Sequence, residues 1–307
     1  MVTTTQEEKE LTAGQQRVIE AYKVLIEQNG WTLREASRPL QIAASTLSQT
    51  LAGKYRGDVA AIVSRMSKAL HRERRRKGAP KRPPFMVTSV ADDVLKVCEE
   101  AHALRLPVLI TGPSGIGRTV ALKEYCRREP ETIYVEAGPF ARPKALLQQV
   151  AAQVRGEFTG GIHTMRVELG TALQDADQLL IVDEVDYVPE YSLQTLRMIA
   201  DRANCGIVYC ATRAFLEKLR RKRSKTIDQF LNRVAYVHDC EQLTDEDLER
   251  LLAFYGLSDR CRDLAKLMAS GCARRLVNGV LLALRAAGKR TVSDEMIRRA
   301  FKRLLNA

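Results

Sequence analysis

The stretch TGPSGIGRT, Thr111 to Thr119, has the spacing of a phosphate-binding loop. Gly112 and Gly117 bracket four residues, and a cation and a hydroxyl follow at Arg118 and Thr119. A turn of this kind turns backbone N–H groups toward an anion. Gly112, Pro113, Ser114, Gly115, Ile116, Gly117, Arg118, Thr119 and Val120 would then wrap the phosphates of a nucleotide, with the Thr119 hydroxyl on Mg²⁺. Arg118 stands where such loops carry lysine. It keeps the charge but binds phosphate as a planar fork. On its own the loop also fits a tight strand-to-helix turn. The stretch LLIVDEVD, Leu179 to Asp186, adds the missing half: an apolar strand that ends in paired carboxylates. Asp183 can hold Mg²⁺ through water, and Glu184 can polarise an attacking water. A helix cap would explain one "DE" pair, but not two motifs in this order, each at the end of a buried strand.

Three further positions could complete a nucleotide site. Thr212 closes GIVYCAT and can hydrogen-bond a γ-phosphate or the lytic water. Arg233, in FLNRV, can reach a neighbouring subunit's nucleotide as a finger, or be a plain surface arginine. Arg274, in GCARRLV, opens a helix from which a lid arginine can touch the γ-phosphate; the alternative is a solvated helix face.

The elements that must carry these residues are strands at Pro107–Thr111, Thr132–Glu136, Leu179–Val182, Gly206–Ala211 and Ala235–His238. Helical patterns such as RTVALKEYCRR and PKALLQQVAAQV separate them. Strands alternating with helices predict an α/β fold, a five-stranded parallel sheet covered on both faces. Ligands of such sheets bind at the carboxyl ends of the strands. This core spans residues 85–240, and a helical lid subdomain follows over 241–307. A basic, proline-bearing segment, HRERRRKGAPKRPP, reads as a linker over 71–84.

Residues 1–70 read as an all-α helix-turn-helix domain. A helix near Leu33–Leu40, a turn at Gln41–Ala43 and a second helix from Ala44 to Leu51 would share a core of Ala36, Leu40, Ile42, Leu47 and Leu51. Ser45, Thr46, Ser48 and Gln49 would face a DNA major groove, with Lys54 and Arg56 near phosphates. A helical protein-docking module is the alternative.

The 307 residues suffice for two or three domains, and the 45% hydrophobic content can fill a core. The net charge of +12 favours a polyanionic partner. No apolar run approaches membrane-spanning length, and the polar N-terminus lacks a signal-peptide pattern, so a cytoplasmic location is expected. The seven scattered cysteines form no C-x-x-C pair and read as buried thiols rather than a zinc site.

The order of phosphate loop, acidic strand end, polar sensor, finger arginine and helical lid with G-x-x-R (Gly271 to Arg274) resembles an AAA+ ATPase over residues 85–305. With the N-terminal module, nearly the whole chain resembles the transposition protein B family of phage Mu and Mu-like phages. The resemblance rests on STLSQTLAGKYRGD, GPSGIGRT, LLIVDEVDYV, GIVYCATR, FLNRVA and GCARRLVNGVLLAL. It is similar, less closely, to the helper ATPases TnsC and IstB of other transposons. The resemblance implies ATP and Mg²⁺ as cofactors, filaments on double-stranded DNA with little sequence preference, and delivery of that DNA to a DDE transposase in the host bacterial cytoplasm. It also implies backbone contacts from PFARPK, through Arg142 and Lys144, and from FTGGIHTMR, through Thr164 and Arg166. The chain departs from the family at Arg118, which predicts retained nucleotide binding with slowed hydrolysis, and at Thr212, where the best-known member has asparagine. Two other functions fit the same features: a sequence-specific regulator that uses the AAA+ fold to oligomerise, and a helicase loader.

Overall fold

In a computed structural model the chain is described over residues 11–138, 142–174, 176–222 and 224–304. The first ten residues of the expected N-terminal domain and Pro139, Phe140 and Ala141 of the PFARPK loop lie outside the described residues. The chain divides into two compact units, Met1–Pro80 and Lys81–Ala307.

The first unit is helical. Helix α1 (Ala13–Asn29) starts in a capping box, with Thr12 and Gln15 satisfying each other's backbone N–H, and ends at Gly30 in the left-handed conformation. A second capping box, Thr32 with Glu35, opens α2 (Leu33–Ser37), which tightens into a 3₁₀ turn at Arg38–Leu40. Gln41 turns the chain at φ 53° before α3 (Ala44–Leu51). Helix α4 (Val59–Lys77) starts at an Asp58 cap and packs on α1. Ala36, Leu40 and Leu47 are buried among Ile19, Tyr22, Leu25, Ile62 and Met66, while Ile42 and Leu51 are only partly covered. The Tyr22 hydroxyl is buried and donates to the Ala36 carbonyl at 2.8 Å.

One boundary needs correction. The segment from residue 71 is not extended linker, because α4 continues to Lys77. Arginine and lysine are good helix formers, and Arg74, Arg75, Arg76 and Lys77 sit in the last turn, where the helix dipole favours cations. The helix stops at Gly78, and the prolines come only afterwards.

The second unit runs α5 (Ser89–Ala103), β1 (Pro107–Thr111), α6 (Arg118–Arg128), β2 (Ile133–Glu136), α7 (Pro143–Ala151), α8 (Ile162–Ala172), β3 (Leu179–Asp183), α9 (Glu190–Ala203), β4 (Gly206–Cys210), α10 (Arg213–Arg221), α11 (Lys225–Leu231) and β5 (Tyr236–Asp239). Helices α12 (Asp245–Ala253), α13 (Asp259–Ala269), α14 (Ala273–Ala287) and α15 (Asp294–Lys302) follow. The strands form one parallel sheet in the order β2-β3-β4-β1-β5.

The apolar runs of the inner strands divide between two cores, because successive side chains point to opposite faces. Val108, Ile110, Leu179, Ile181 and Val208 pack with α5, α6 and the C-terminal helices. Leu109, Leu180, Val182, Ile207 and Tyr209 pack with α7 to α11. The C-terminal helices are tied to the start of α5 by Asp247. This carboxylate is 2% exposed and accepts from the Ser89 backbone N–H at 2.8 Å, the Ser89 hydroxyl and the Thr244 backbone N–H. Among the described residues no helix is long and apolar enough to cross a membrane.

Candidate nucleotide-binding site

The loop after β1 is shaped by glycines at two crowded points. Gly112 has φ 150°, and a Cβ there would stand 2.7 Å from Arg118 Nη1 and 2.8 Å from the Cys240 carbonyl. Gly115 has φ 83°, and a Cβ would meet Cys272 Sγ at 2.7 Å and Arg274 Cβ at 3.1 Å. The loop is thus pressed between the end of β5 and the start of α14. The Arg274 backbone N–H donates to the Gly115 carbonyl at 3.0 Å, which docks the C-terminal helices on the loop. Cys272, like Cys126, is half-buried, not fully buried as the sequence suggests; the other five cysteines are buried.

Pro113, Ser114, Gly115, Ile116, Gly117, Arg118, Thr119, Val120, Asp183, Glu184, Thr212 and Arg274 all line one cavity of about 700 Å³. The volume is within the range of small-molecule sites. Gly112, read as part of the same site, is buried and does not line it. Arg233 does not line it: the residue is exposed in the turn after α11.

The cavity wall also contains residues that local sequence patterns do not flag. Arg82, Pro83, Pro84, Phe85 and Met86 line it, as do Leu251, Ala273 and Val277 from the C-terminal helices. Arg82 Nη2 donates to Asn278 Oδ1 at 2.8 Å, and the Arg128 guanidinium lies 5.7 Å from the Phe85 ring centre. The three prolines of this region read as a tether in sequence. The apolar pair Phe85–Met86 directly after them was the available signal.

The acidic end of β3 is held tightly. Asp183 is 2% exposed; it accepts from the Glu184 backbone N–H at 2.8 Å and from the Tyr134 hydroxyl at 2.9 Å. Burial and the Asp183 charge push the Tyr134 phenol up, so it remains a donor. Glu184 adopts the left-handed conformation at φ 58°, which is rare for a residue with a side chain and concentrates at functional sites. Desolvation raises the Glu184 pKa first, and the charges of Asp183, Glu136 and Asp186 add to it.

Asp186 is the unpredicted member of this group. The Thr212 backbone N–H approaches its two oxygens at 3.2 and 3.1 Å, and the Thr212 hydroxyl donates to Oδ1. The same hydroxyl oxygen accepts from the Phe215 N–H and caps α10. With its proton given to Asp186, Thr212 has no O–H left for a phosphate, so the sensor role read from the sequence requires Asp186 to let go.

Arg118 folds back across the loop. Nη1 donates to the Pro113 carbonyl at 2.8 Å, while the buried Nε has no partner among the described residues. Nearby, Asp239 accepts from Thr111 Oγ1 at 2.7 Å and from Arg213 Nε at 2.8 Å. Burial opposes the Asp239 charge, but these hydrogen bonds and the Arg213 and Arg118 charges outweigh it and hold the carboxyl below the usual range. A glycine cradle, an orphaned arginine N–H and three carboxylates around one cavity fit a nucleoside triphosphate with its magnesium ion.

The residues read as DNA contacts fall on both units. In the first, Ser45, Ser48, Gln49, Lys54 and Arg56 are exposed on or just after α3, and Thr46 is half-buried. In the second, Arg142 and Lys144 are exposed at the start of α7, Thr164 is exposed on α8 and Arg166 is half-buried there.

The parallel sheet, the loop and the carboxylate strand end define the class: an AAA-type ATPase. A family model described as an AAA domain matches residues 101–219. Among solved structures, the ORC2 protein of Aeropyrum pernix superposes with a TM-score of 0.57 at 16% identity, over 74% of this chain and 71% of that one. Domain III of the replication initiation protein DnaA of Thermotoga maritima gives 0.52 at 15%, over 73% and 95%. These likenesses show the fold alone.

Sequence relatives narrow the class. The chain is 25% identical over 185 residues to the Mu-like prophage FluMu DNA transposition protein B of Haemophilus influenzae, covering 58% of this chain and 63% of that protein. It is 20% identical over 290 residues to the ATP-dependent target DNA activator B of Escherichia phages D108 and Mu, covering 92% of this chain and 93% of each. The chain is thus similar to B proteins of Mu-like phages and prophages.

Proposed function

We propose that the chain binds and hydrolyses ATP, assembles as a filament on double-stranded DNA with little sequence preference, and delivers that DNA to a DDE transposase. The observation that carries this reading is the single cavity where the loop, Asp183, Glu184 and Arg274 meet. The names of the phage relatives supply the DNA and transposition half.

The chemistry follows from the residues. The loop N–H groups and Arg118 bind and orient the phosphates. Thr119 and Asp183 are the residues that would hold Mg²⁺, which neutralises phosphate charge when bound. Glu184 accepts a proton from the attacking water, and its raised affinity for protons suits it to that task. Arg274 reaches the site from the docked α14, and Arg233, exposed and outside the cavity, serves a neighbouring subunit's nucleotide. Arg118 spends one N–H on the Pro113 carbonyl, so it grips the phosphates at the expense of its own loop contact. That trade slows turnover without abolishing binding. DNA contacts come from α3 of a helix-turn-helix unit and from Arg142, Lys144, Thr164 and Arg166.

The self-contained N-terminal unit favours a second reading, a sequence-specific regulator whose AAA domain only oligomerises. Sedimentation and negative-stain imaging on random-sequence duplex DNA, with ATP, with ADP and without nucleotide, separate the two. The expected result is filaments with ATP only. Arg118→Lys should bind ATP as before and hydrolyse it several-fold faster, since a point charge replaces the self-bonded fork. DNA binding that ignores nucleotide, or that needs one operator sequence, would replace the transposition reading with the regulator.

A further inference from the structure

A second recess lies between α8 and α9, with a volume of about 410 Å³, lined by Arg166, Val167, Arg197, Met198, Asp201 and Arg202. It holds three guanidinium groups against one carboxylate. Arg197 is already spoken for: it pairs with Asp201, and its Nε donates to Gln194 Oε1 at 2.7 Å. Arg166 and Arg202 have no carboxylate partner among the described residues. Arg166 contacts Met198 Sδ and His163 Nδ1; Arg202 Nε donates to Thr171 Oγ1 at 3.0 Å.

These contacts hold the groups in place without a carboxylate to cancel their charge. Arg202 is also seated from below. A Cβ on Gly170 would stand 2.8 Å from Arg202 Cδ and 3.0 Å from its Cβ, so the arginine stem lies flat on α8 only because residue 170 is glycine. Its terminal N–H groups have no partner among the described residues, in the fork geometry that matches phosphate. Two ordered like charges beside an open recess repel until an anion comes between them. The apolar lining is limited to Val167 and Met198, too little to bury a base or a peptide side chain.

We propose that Arg166 and Arg202 form a phosphate seat that grips the sugar-phosphate backbone of duplex DNA. The proposal rests on the DNA-binding reading above and adds Arg202, on a different helix, to its surface. A backbone contact carries no sequence information, in keeping with sequence-tolerant binding.

Fluorescence anisotropy of the full chain on random-sequence duplex, with a non-hydrolysable ATP analogue and from about 50 to 300 mM salt, tests the seat. Arg166→Gln and Arg202→Gln should each lower the salt slope by about one, and the double variant by about two. Fluorescent-nucleotide binding should not change, since neither residue lines the nucleotide cavity. A pair of lysine substitutions keeps both charges on the face, so it should keep the slope and lose some affinity through the missing forks. Loss of the slope in the lysine pair would overturn the seat. A wild-type slope in the double glutamine variant would overturn it too and would leave the recess to an acidic protein partner. If the wild-type chain itself failed to bind duplex at low salt, the function reading would fall, and the seat with it.

Discussion

At the scale of single residues, Glu184 carries the sharpest expectation. Its left-handed backbone and raised proton affinity both point to a group held for work rather than for stability. A carboxyl that binds its proton more tightly in the native state favours the fold below its ordinary pKa, and that advantage is lost as pH rises through the raised value. Glu184→Gln cannot ionise. It should therefore melt at a higher temperature than wild type near pH 8, with the difference vanishing toward about pH 4. Hydrolysis should fall by about 10² to 10⁴, the usual worth of a positioned general base, while ATP binding persists. Thermal melts across pH, paired with a phosphate-release assay, check both. A melting difference that does not change with pH would remove the raised proton affinity from the argument.

At the scale of elements, the site depends on how the C-terminal helices are fastened to the core. Asp247 joins the first turns of α5 and α12. Burial opposes its charge, yet the hydrogen bonds from Ser89 and Thr244 hold its pKa below the usual range. Its contribution is present above the ordinary carboxylate range and lost as pH falls through the depressed value. Asp247→Ala leaves the Ser89 and Thr244 donors without their partner, at a cost of about 1–3 kcal/mol. For a unit of this size each kcal/mol lowers the melting temperature by about 2–4 °C. Calorimetry at neutral pH measures this, and the wild-type advantage should shrink in acid. ATP affinity should fall as well, because Arg274, Ala273 and Val277 reach the cavity from helices that this staple anchors.

At the scale of the whole molecule, the chain has two compact units and a net charge of +12. Each unit has its own core, so removal of residues 1–80 should leave the second unit folded. The shortened chain should bind fluorescent ATP like the full chain, and bind duplex DNA more weakly with a smaller salt slope. Nucleotide titrations and anisotropy on the same preparation decide it. Unchanged DNA affinity would assign all DNA contact to the second unit and make the first a docking module.

The loop, the β3 carboxylates, the five strands and the start of α14 were legible in the sequence because each is a local pattern. A glycine turn, a run of apolar residues and a strand-end acid declare themselves within a few positions. Capping boxes at Thr12 and Thr32 are equally local. Tertiary structure decided what local patterns cannot. Arg82 to Met86 become a cavity wall only because the chain after Pro80 runs beside α14, nearly two hundred residues away in sequence. Asp186 captures Thr212 because β3 and β4 are neighbours in the sheet. Arg118 turns onto Pro113 because the folded loop brings that carbonyl within reach. Arg166 and Arg202 line one recess because α8 and α9 pack together, with Arg202 over Gly170. Residue type and spacing specify which chemistry a chain can attempt; which side chains share a cavity depends on strand order and helix packing, and those are set by contacts between positions far apart along the chain.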